Sequence, residues 1–211
     1  MFYREAGQFK TSYKADQAMF PIFQDKIFVA IWLFIGFVVV PMLANEYMFR
    51  AIFIPVIIMA LAAIGLNLLV GYCGQVSLGS GAFMAVGAYA AYNFMIRVPE
   101  LNPLICFLLG GLSATAVGVI FGIPSLRIKG FYLAVATLAL QFFTDWTFSR
   151  IDWFTNYTPS GSIAVRPVEM LGVVFDSPMK KYFLCLVFLV IFTIIGTNIV
   201  RGRIGRAWMA T

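Results

Sequence analysis

Polar side chains and glycines that could line a solute pathway are concentrated in one short stretch of an otherwise apolar sequence. Residues 71–80 read GYCGQVSLGS, and four glycines fall within residues 71–81. Amide and hydroxyl groups can hold a small solute weakly enough to release it, and glycines permit backbone turns that other residues resist. The predicted pathway residues are Asn67, Tyr72, Gln75, Ser77 and Ser80, and the glycines predicted to give backbone flexibility are Gly71, Gly74, Gly79 and Gly81.

Two interpretations of residues 71–80 stay open on chemistry alone. Non-helical backbone at membrane depth survives only inside protein or along a water-filled cavity, because lipid cannot satisfy bare N–H and C=O groups. A polar, glycine-rich stretch before a short helix resembles the broken helices that line transport sites. The alternative is a plain turn in the cytoplasm between two membrane-spanning helices.

The residue types that other kinds of chemistry need are scarce in this sequence. It has no histidine, and its three cysteines lie at or within apolar blocks, where cysteine behaves as a small hydrophobic residue. It has no G-x-x-x-x-G-K-[ST] phosphate loop. Asp145 is the only acidic residue within an apolar block, and we interpret it as an interfacial carboxylate that reaches water. We therefore predict a transport subunit rather than an enzyme, without cofactor or metal.

Composition predicts the elements that position this stretch. The chain has 211 residues, 62% of them hydrophobic and 11% charged, with a mean hydropathy of +0.91. Six apolar blocks are long enough, or nearly so, to cross a bilayer core of about 30 Å. We predict an all-α polytopic membrane helix bundle of about six transmembrane helices, with a glycine-rich broken segment between the second and third. The blocks are 27–44, 51–70, 81–96, 104–123, 131–149 and 182–200.

The distribution of basic residues predicts the orientation in the membrane. Nine of the 15 lysines and arginines fall on the side that holds the N-terminus, and cytoplasmic loops carry such an excess. The positive face suits anionic lipid or a cytosolic partner, so we predict no nucleic-acid binding. The predicted parts are a cytoplasmic lead-in (1–26), a transmembrane permease domain (27–200, with an outer loop at 151–181) and the start of a cytoplasmic coupling region (201–211).

Small residues recur every four positions in the fourth block. This spacing places them on one stripe of a helix, where the backbones of two helices can approach closely. We predict that Gly110, Ala114, Gly118 and Gly122 pack against another helix.

Three sequence blocks carry a resemblance to a known family. GLNLLVGYCGQVSLGSGAFMAVGAYAAY, GIPSLRIKGFYLAVATLAL and RGRIGRAW, within residues 62–208, closely resemble the LivM-type permease subunit of branched-chain amino acid ABC importers. The resemblance implies a multi-pass protein of the bacterial inner membrane that forms a solute pathway with a second, homologous permease. It implies two cytoplasmic ATPase subunits, which hydrolyse the ATP, and a periplasmic solute-binding protein. It also implies that Arg203, Gly205 and Arg206 lead into the contact with the ATPases.

Two departures from the family pattern leave the solute open. Family members commonly have histidine where this chain has Ser80, and a TGG-like motif where it reads TNYTPSGSIAV. Branched-chain amino acids are the default small-molecule substrate, and urea, short amides or aromatic acids are the alternatives carried by related permeases. Ion-coupled secondary transport is a weaker alternative, because it usually requires ionisable groups inside the spans. The family pattern continues beyond RGRIGRAW, so we expect the C-terminal part of the subunit to be missing here.

Overall fold

Helices make up most of the described chain, as predicted. The computed structural model describes residues 11–12, 23–125, 131–158, 163, 168–170 and 173–209, so most of the predicted lead-in lies outside it. A short antiparallel hairpin pairs β1 (Val168–Met170) with β2 (Val173–Phe175). The helices are α1 (Phe23–Leu43), α2 (Glu46–Tyr72), α3 (Ser80–Arg97), α4 (Pro103–Ser125), α5 (Phe131–Arg150), α6 (Pro178–Arg201) and α7 (Arg203–Met209).

Four of these helices are long and apolar enough to cross a membrane: α1, α2, α4 and α6. The helices α3 and α5 have 18 and 20 residues but carry more polar side chains. An all-α membrane bundle is thus confirmed, and a total of six crossings stays a prediction. The last long helix begins at Pro178, earlier than its apolar block, because proline suits the first turn of a helix. The predicted outer loop 151–181 is therefore shorter at its C-terminal end.

Helices α1 and α2 each contain a wide π turn next to a proline. The turns span Ile35–Val39, before Pro41, and Phe49–Phe53, before Pro55. Proline lacks an N–H group and clashes with the carbonyl four residues earlier, so a wider local turn relieves the helix there.

Helices α1, α2 and α6 share one buried cluster of side chains. Phe49 and Ile57 of α2 pack with Tyr182 and Leu186 of α6. The Tyr182 hydroxyl donates a 2.8 Å hydrogen bond to the carbonyl oxygen of Gly36 in α1. This bond satisfies a buried phenol and ties α1 to the other two helices.

Helices α3, α4 and α5 form a second group around α3. Asn102 caps α4, because its side-chain oxygen accepts the N–H of Leu104 at 3.0 Å, and the chain turns back so that α4 runs antiparallel to α3. By contrast, α3 and α5 run in the same direction, with Gly79 beside Thr137 and Tyr89 stacked on Phe148. This parallel pair positions the candidate site.

Candidate functional site

The glycine-rich stretch between α2 and α3 is a short non-helical segment, residues 73–79. Helix α2 continues to Tyr72 and α3 begins at Ser80, so Gly71 and Gly81 lie within helical turns rather than in the irregular part. Gly74 has φ of 65°, in the left-handed region that glycine tolerates best. Glycine therefore suits the backbone conformation at Gly74, whereas Gly79 and Gly81 lie where the chain approaches another helix.

Gly79 and Gly81 allow a close approach to α5. A Cβ atom at Gly79 would lie 2.6 Å from the carbonyl oxygen of Thr137, and one at Gly81 would lie 2.5 Å from Nε2 of Gln141. Thr137 lies six residues into α5, or about 9 Å along the helix at 1.5 Å per residue. The segment thus reaches back between the helices. This position favours the broken-helix interpretation over a turn that lies beyond the helix ends.

Three backbone N–H groups of the segment have acceptors within the protein. The N–H of Leu78 donates to Oγ1 of Thr137 at 2.9 Å, and the N–H of Gln75 donates to the carbonyl oxygen of Leu69 at 3.2 Å. The N–H of Gly79 donates to Oγ of Ser77 at 3.4 Å. Such partners are what irregular backbone needs at a depth where lipid offers none.

Two of the predicted pathway residues line one cavity, which we call the Gln75 cavity. It has a volume of about 440 Å³ and lies between the segment, α4 and α5. Gln75, Ser77 and Thr137 contribute amide and hydroxyl groups, and the other lining side chains are apolar. The complete lining is Leu69, Gln75, Val76, Ser77, Phe83, Gly118, Phe121, Gly122, Leu133, Ala136, Thr137 and Leu140.

The other predicted pathway residues lie elsewhere. Asn67 and Tyr72 line a separate cavity of about 320 Å³ between α2 and α6, together with Thr197 and Arg201. Ser80 is half-buried at the first position of α3. The structure therefore brings Gln75 and Ser77 together and separates them from Asn67 and Tyr72, because the last turn of α2 faces α6.

The small-residue stripe of α4 is tight at one end only. A Cβ atom at Gly110 would lie 2.7 Å from the carbonyl oxygen of Gly87 and 2.9 Å from Cβ of Ala91. At Gly118 the nearest atom, Cε1 of Phe83, would be at 3.5 Å, and at Gly122 no atom would lie within 4 Å. Gly110 and Ala114 therefore pack on α3. Gly118 and Gly122 instead line the Gln75 cavity, which departs from the predicted continuous stripe.

A sharp turn at Gly202 separates α6 from α7. The N–H of Gly202 donates to the carbonyl oxygens of Asn198 and Ile199, at 2.9 and 3.1 Å. Gly205 is buried against the backbone of Val200, so any side chain there would collide with α6. Arg203 is exposed, and the side chain of Arg206 lies outside the described residues. The close packing of α7 on α6 thus explains why glycine stands at position 205 of the RGRIGRAW block.

Sequence reasoning missed a third cavity, the Asp145 cavity, which has about 630 Å³ and lies between α3 and α5. Gln141, Asp145, Ser149 and Asp152 line it from one side. The four-residue spacing of Gln141, Asp145 and Ser149 is the signal that places these three on one face of α5, whereas Asp152 lies in the turn after the helix. The facing wall on α3 could not be inferred from that spacing.

Four apolar spans, an irregular segment between α2 and α3 and cavities beside that segment indicate a multi-pass membrane protein. The chain belongs to the family described as "Branched-chain amino acid transport system / permease component", whose profile matches residues 48–211. This assignment confirms the family resemblance that the three sequence blocks indicated.

Two curated relatives are similar to the chain over most of its length. It is 27% identical over 174 residues to the high-affinity branched-chain amino acid transport system permease protein LivM of Escherichia coli (strain K12). It is 32% identical over 169 residues to the LivM protein of Salmonella typhimurium (strain LT2). Each match covers 70% of this chain and 40% of the relative, so the chain spans about 40% of their length. No solved structure matches the chain significantly.

Proposed function

We propose that this chain is part of a transmembrane permease subunit of an ATP-driven importer for branched-chain amino acids in a bacterial inner membrane. It forms the solute pathway with a second, homologous permease. Two cytoplasmic ATPase subunits hydrolyse ATP, and a periplasmic binding protein delivers the solute. The family assignment and the names of both relatives support this proposal.

The observation that carries the proposal is that Gln75 and Ser77 both line the Gln75 cavity. Its volume of about 440 Å³ is within the range of about 300 to 1,000 Å³ found for small-molecule pockets. Its apolar walls suit a branched aliphatic side chain, and its neutral polar groups suit a zwitterion. Neutral groups hold such a solute without the tight binding that would slow its release.

Replacing Gln75 tests the chemistry of this pathway. In the complete transport complex, reconstituted in vesicles, Gln75→Leu should lower uptake of radiolabelled leucine, because it removes an amide from the cavity. Capture of leucine by the binding protein should be unchanged. Gln24→Leu is the matched control, since Gln24 is exposed at the start of α1, far along the chain from the cavity.

Replacing Gly79 tests the geometry of the same pathway. Gly79→Val places side-chain atoms against the carbonyl of Thr137, so the segment must shift and leucine uptake should fall. Gly65→Val is the control, because a Cβ there meets no atom within 4 Å. Wild-type uptake in both Gln75→Leu and Gly79→Val, at matched protein levels, would contradict a role of the segment in the solute pathway. The segment would then be a plain turn.

The orientation and the solute have separate tests. A cysteine at Asp176, in the loop before α6, should react with an impermeant thiol reagent added outside intact cells, and a cysteine at Arg203 should not. The reverse pattern would place the N-terminus outside. Competition for leucine uptake by valine and isoleucine, without competition by urea, acetamide or phenylalanine, would support the branched-chain solute over the alternatives.

A further inference from the structure

The Asp145 cavity is a polar groove in a part of the bundle that sequence reasoning assigned no role. It is bordered on α3 by Gly81, Ala82, Ala85 and Tyr89. Exposed carboxylates and amides are costly against lipid tails, so this groove must face water or protein. Its polar lining on the other side comprises Gln141, Thr144, Asp145, Ser149, Asp152, Thr155 and Thr158.

The groove has the electrostatic character of a cation site. Asp145 and Asp152 supply two carboxylates, and none of the described residues that line the groove is a lysine or an arginine. The nearby guanidinium of Arg97 is directed elsewhere: it donates to Oδ1 of Asn93 and to the carbonyl of Trp153, and lies 3.7 Å from the centre of the Trp153 ring. An ammonium group entering the groove therefore meets carboxylates without competition from a lining cation.

The walls of the groove are held in place by buried contacts. Tyr89 stacks on Phe148 with 4.1 Å between ring centres, which fixes α3 against α5. Asn93, itself 8% exposed, donates from Nδ2 to the carbonyl oxygens of Tyr89 and Phe154, at 2.8 and 3.1 Å. The loop that carries Asp152 and Thr155 is thus fastened to α3, so the groove is formed before any solute arrives.

A closed contact separates the groove from the Gln75 cavity. Gly81 and Gln141 line the groove, while Thr137 and Leu140 line the other cavity. Between them, Gly79 and Gly81 press on Thr137 and Gln141 too closely to admit a Cβ atom. A solute in the groove would therefore reach the Gln75 cavity only after α3 and α5 move apart.

We propose that the Asp145 cavity binds the ammonium end of an amino acid before the solute passes to the Gln75 cavity. Asp145 and Asp152 face the ammonium group, and the amide of Gln141, beside Gly81, donates to the solute carboxylate. Exposed carboxylates interact weakly in water, which suits a site that must release its ligand. This proposal rests on the proposed function and assigns a subsite to the same solute.

Thiol chemistry at Ser149 tests the site in the complete complex. Cys73, Cys106 and Cys185 are replaced by alanine, and Ser149→Cys reports on the groove. A cationic methanethiosulfonate reagent should react about tenfold faster than an anionic one, because carboxylates concentrate cations locally. Leucine and isoamylamine should slow the labelling, and 4-methylpentanoate, which lacks the ammonium group, should not. Asp176→Cys, outside the groove, should show no protection.

Removing the carboxylates completes the test. In Asp145→Asn with Asp152→Asn, the preference for the cationic reagent should disappear, and half-protection should require about tenfold more leucine, corresponding to the loss of a carboxylate contact. Leucine uptake without protection of Ser149→Cys would overturn the subsite and leave the proposed function standing. No labelling of Ser149→Cys, with Asp176→Cys labelled, would mean that protein fills the groove and would overturn it too. A wild-type complex without leucine uptake would overturn both proposals.

Discussion

Helix α3 makes two glycine contacts of opposite character. Toward α4, Gly87 and Ala91 meet Gly110 across a seam of small residues. Toward α5, Gly79, just before the helix, and Gly81 meet Thr137 and Gln141, with a cavity on each side. The first contact packs two helices together, and the second lies between two cavities.

The same residue type thus lies in an apolar helix seam in one place and beside two cavities that contain polar groups in the other. In a membrane, small residues stabilise helix pairs through close van der Waals contact. Where the surroundings are polar, the same small size lets backbone approach backbone while hydrogen bonds satisfy the irregular segment. The seam with α4 should therefore respond to substitution through stability, and the contact with α5 through transport.

The largest effect should come from breaking the α3–α4 seam. Gly110→Leu places a branched side chain where even a Cβ atom would lie 2.7 Å from the carbonyl of Gly87. We expect a loss of about 3 kcal/mol, the upper part of the usual range for overpacking, because both close neighbours belong to or lie next to backbone. Thermal unfolding of the purified complex and its yield measure this loss.

The adjacent glycine gives the matched control for that variant. Gly111 is exposed, and a Cβ atom there meets nothing within 4 Å. Gly111→Leu should therefore unfold like the wild type. Equal stability of the Gly110 and Gly111 variants would contradict a tight seam between α3 and α4.

A smaller effect should follow from removing the hydroxyl that supports the irregular segment. Thr137→Val keeps the shape of the side chain but leaves the N–H of Leu78 without its acceptor at 2.9 Å. Because Leu78 is exposed and water can reach its N–H, the expected cost is that of a typical hydrogen bond, about 0.5 to 1.5 kcal/mol. Hydrogen exchange of the Leu78 amide should speed up by the corresponding factor, and leucine uptake should fall.

Two threonine variants separate the lost acceptor from other causes. Thr137→Ser retains the hydroxyl and should behave almost as the wild type. Thr147→Val removes only a bond from a hydroxyl to the Phe143 carbonyl within α5, so amide exchange at Leu78 should not change. Faster exchange in Thr147→Val as well would point to general loosening of α5.

The sequence alone predicted those features that local pattern controls. Long apolar runs predicted the helices, and clustered glycines with Gln75 and Ser77 predicted the break between α2 and α3. The contact of Gly79 with Thr137 could not be predicted from the sequence. Leu78 and Thr137, whose hydrogen bond brings the segment to α5, lie 59 residues apart. For the same reason Gly79 and Gly81 were predicted to be flexible, although the neighbouring helix makes them contact residues.

The predicted site was split for a similar reason. Asn67, Tyr72 and Gln75 are close in sequence, but the π turn at Leu68–Tyr72 ends α2 against α6, while the segment returns toward α5. Proximity along the chain therefore did not mean one shared cavity. The Asp145 cavity shows the opposite case, in which residues that are distant in sequence share one cavity. Its two walls come from α3 and α5, which run side by side in the same direction.

The smallest stability effect should come from Gly118, which the sequence placed in the same stripe as Gly110. Only Cε1 of Phe83 approaches, at 3.5 Å from an added Cβ, and the Gln75 cavity offers about 440 Å³ beside it. Gly118→Leu can direct its side chain into that space, so we expect a stability change below about 1 kcal/mol, less than ordinary overpacking. Transport should nevertheless fall, because the leucine occupies the cavity that we propose for the solute. Gly118→Ala, whose Cβ fits at an ordinary contact distance, should preserve both stability and uptake. If Gly118→Leu destabilises the complex as strongly as Gly110→Leu, then the whole stripe packs tightly on α3. In that case Gly118 does not lie beside open space in the Gln75 cavity.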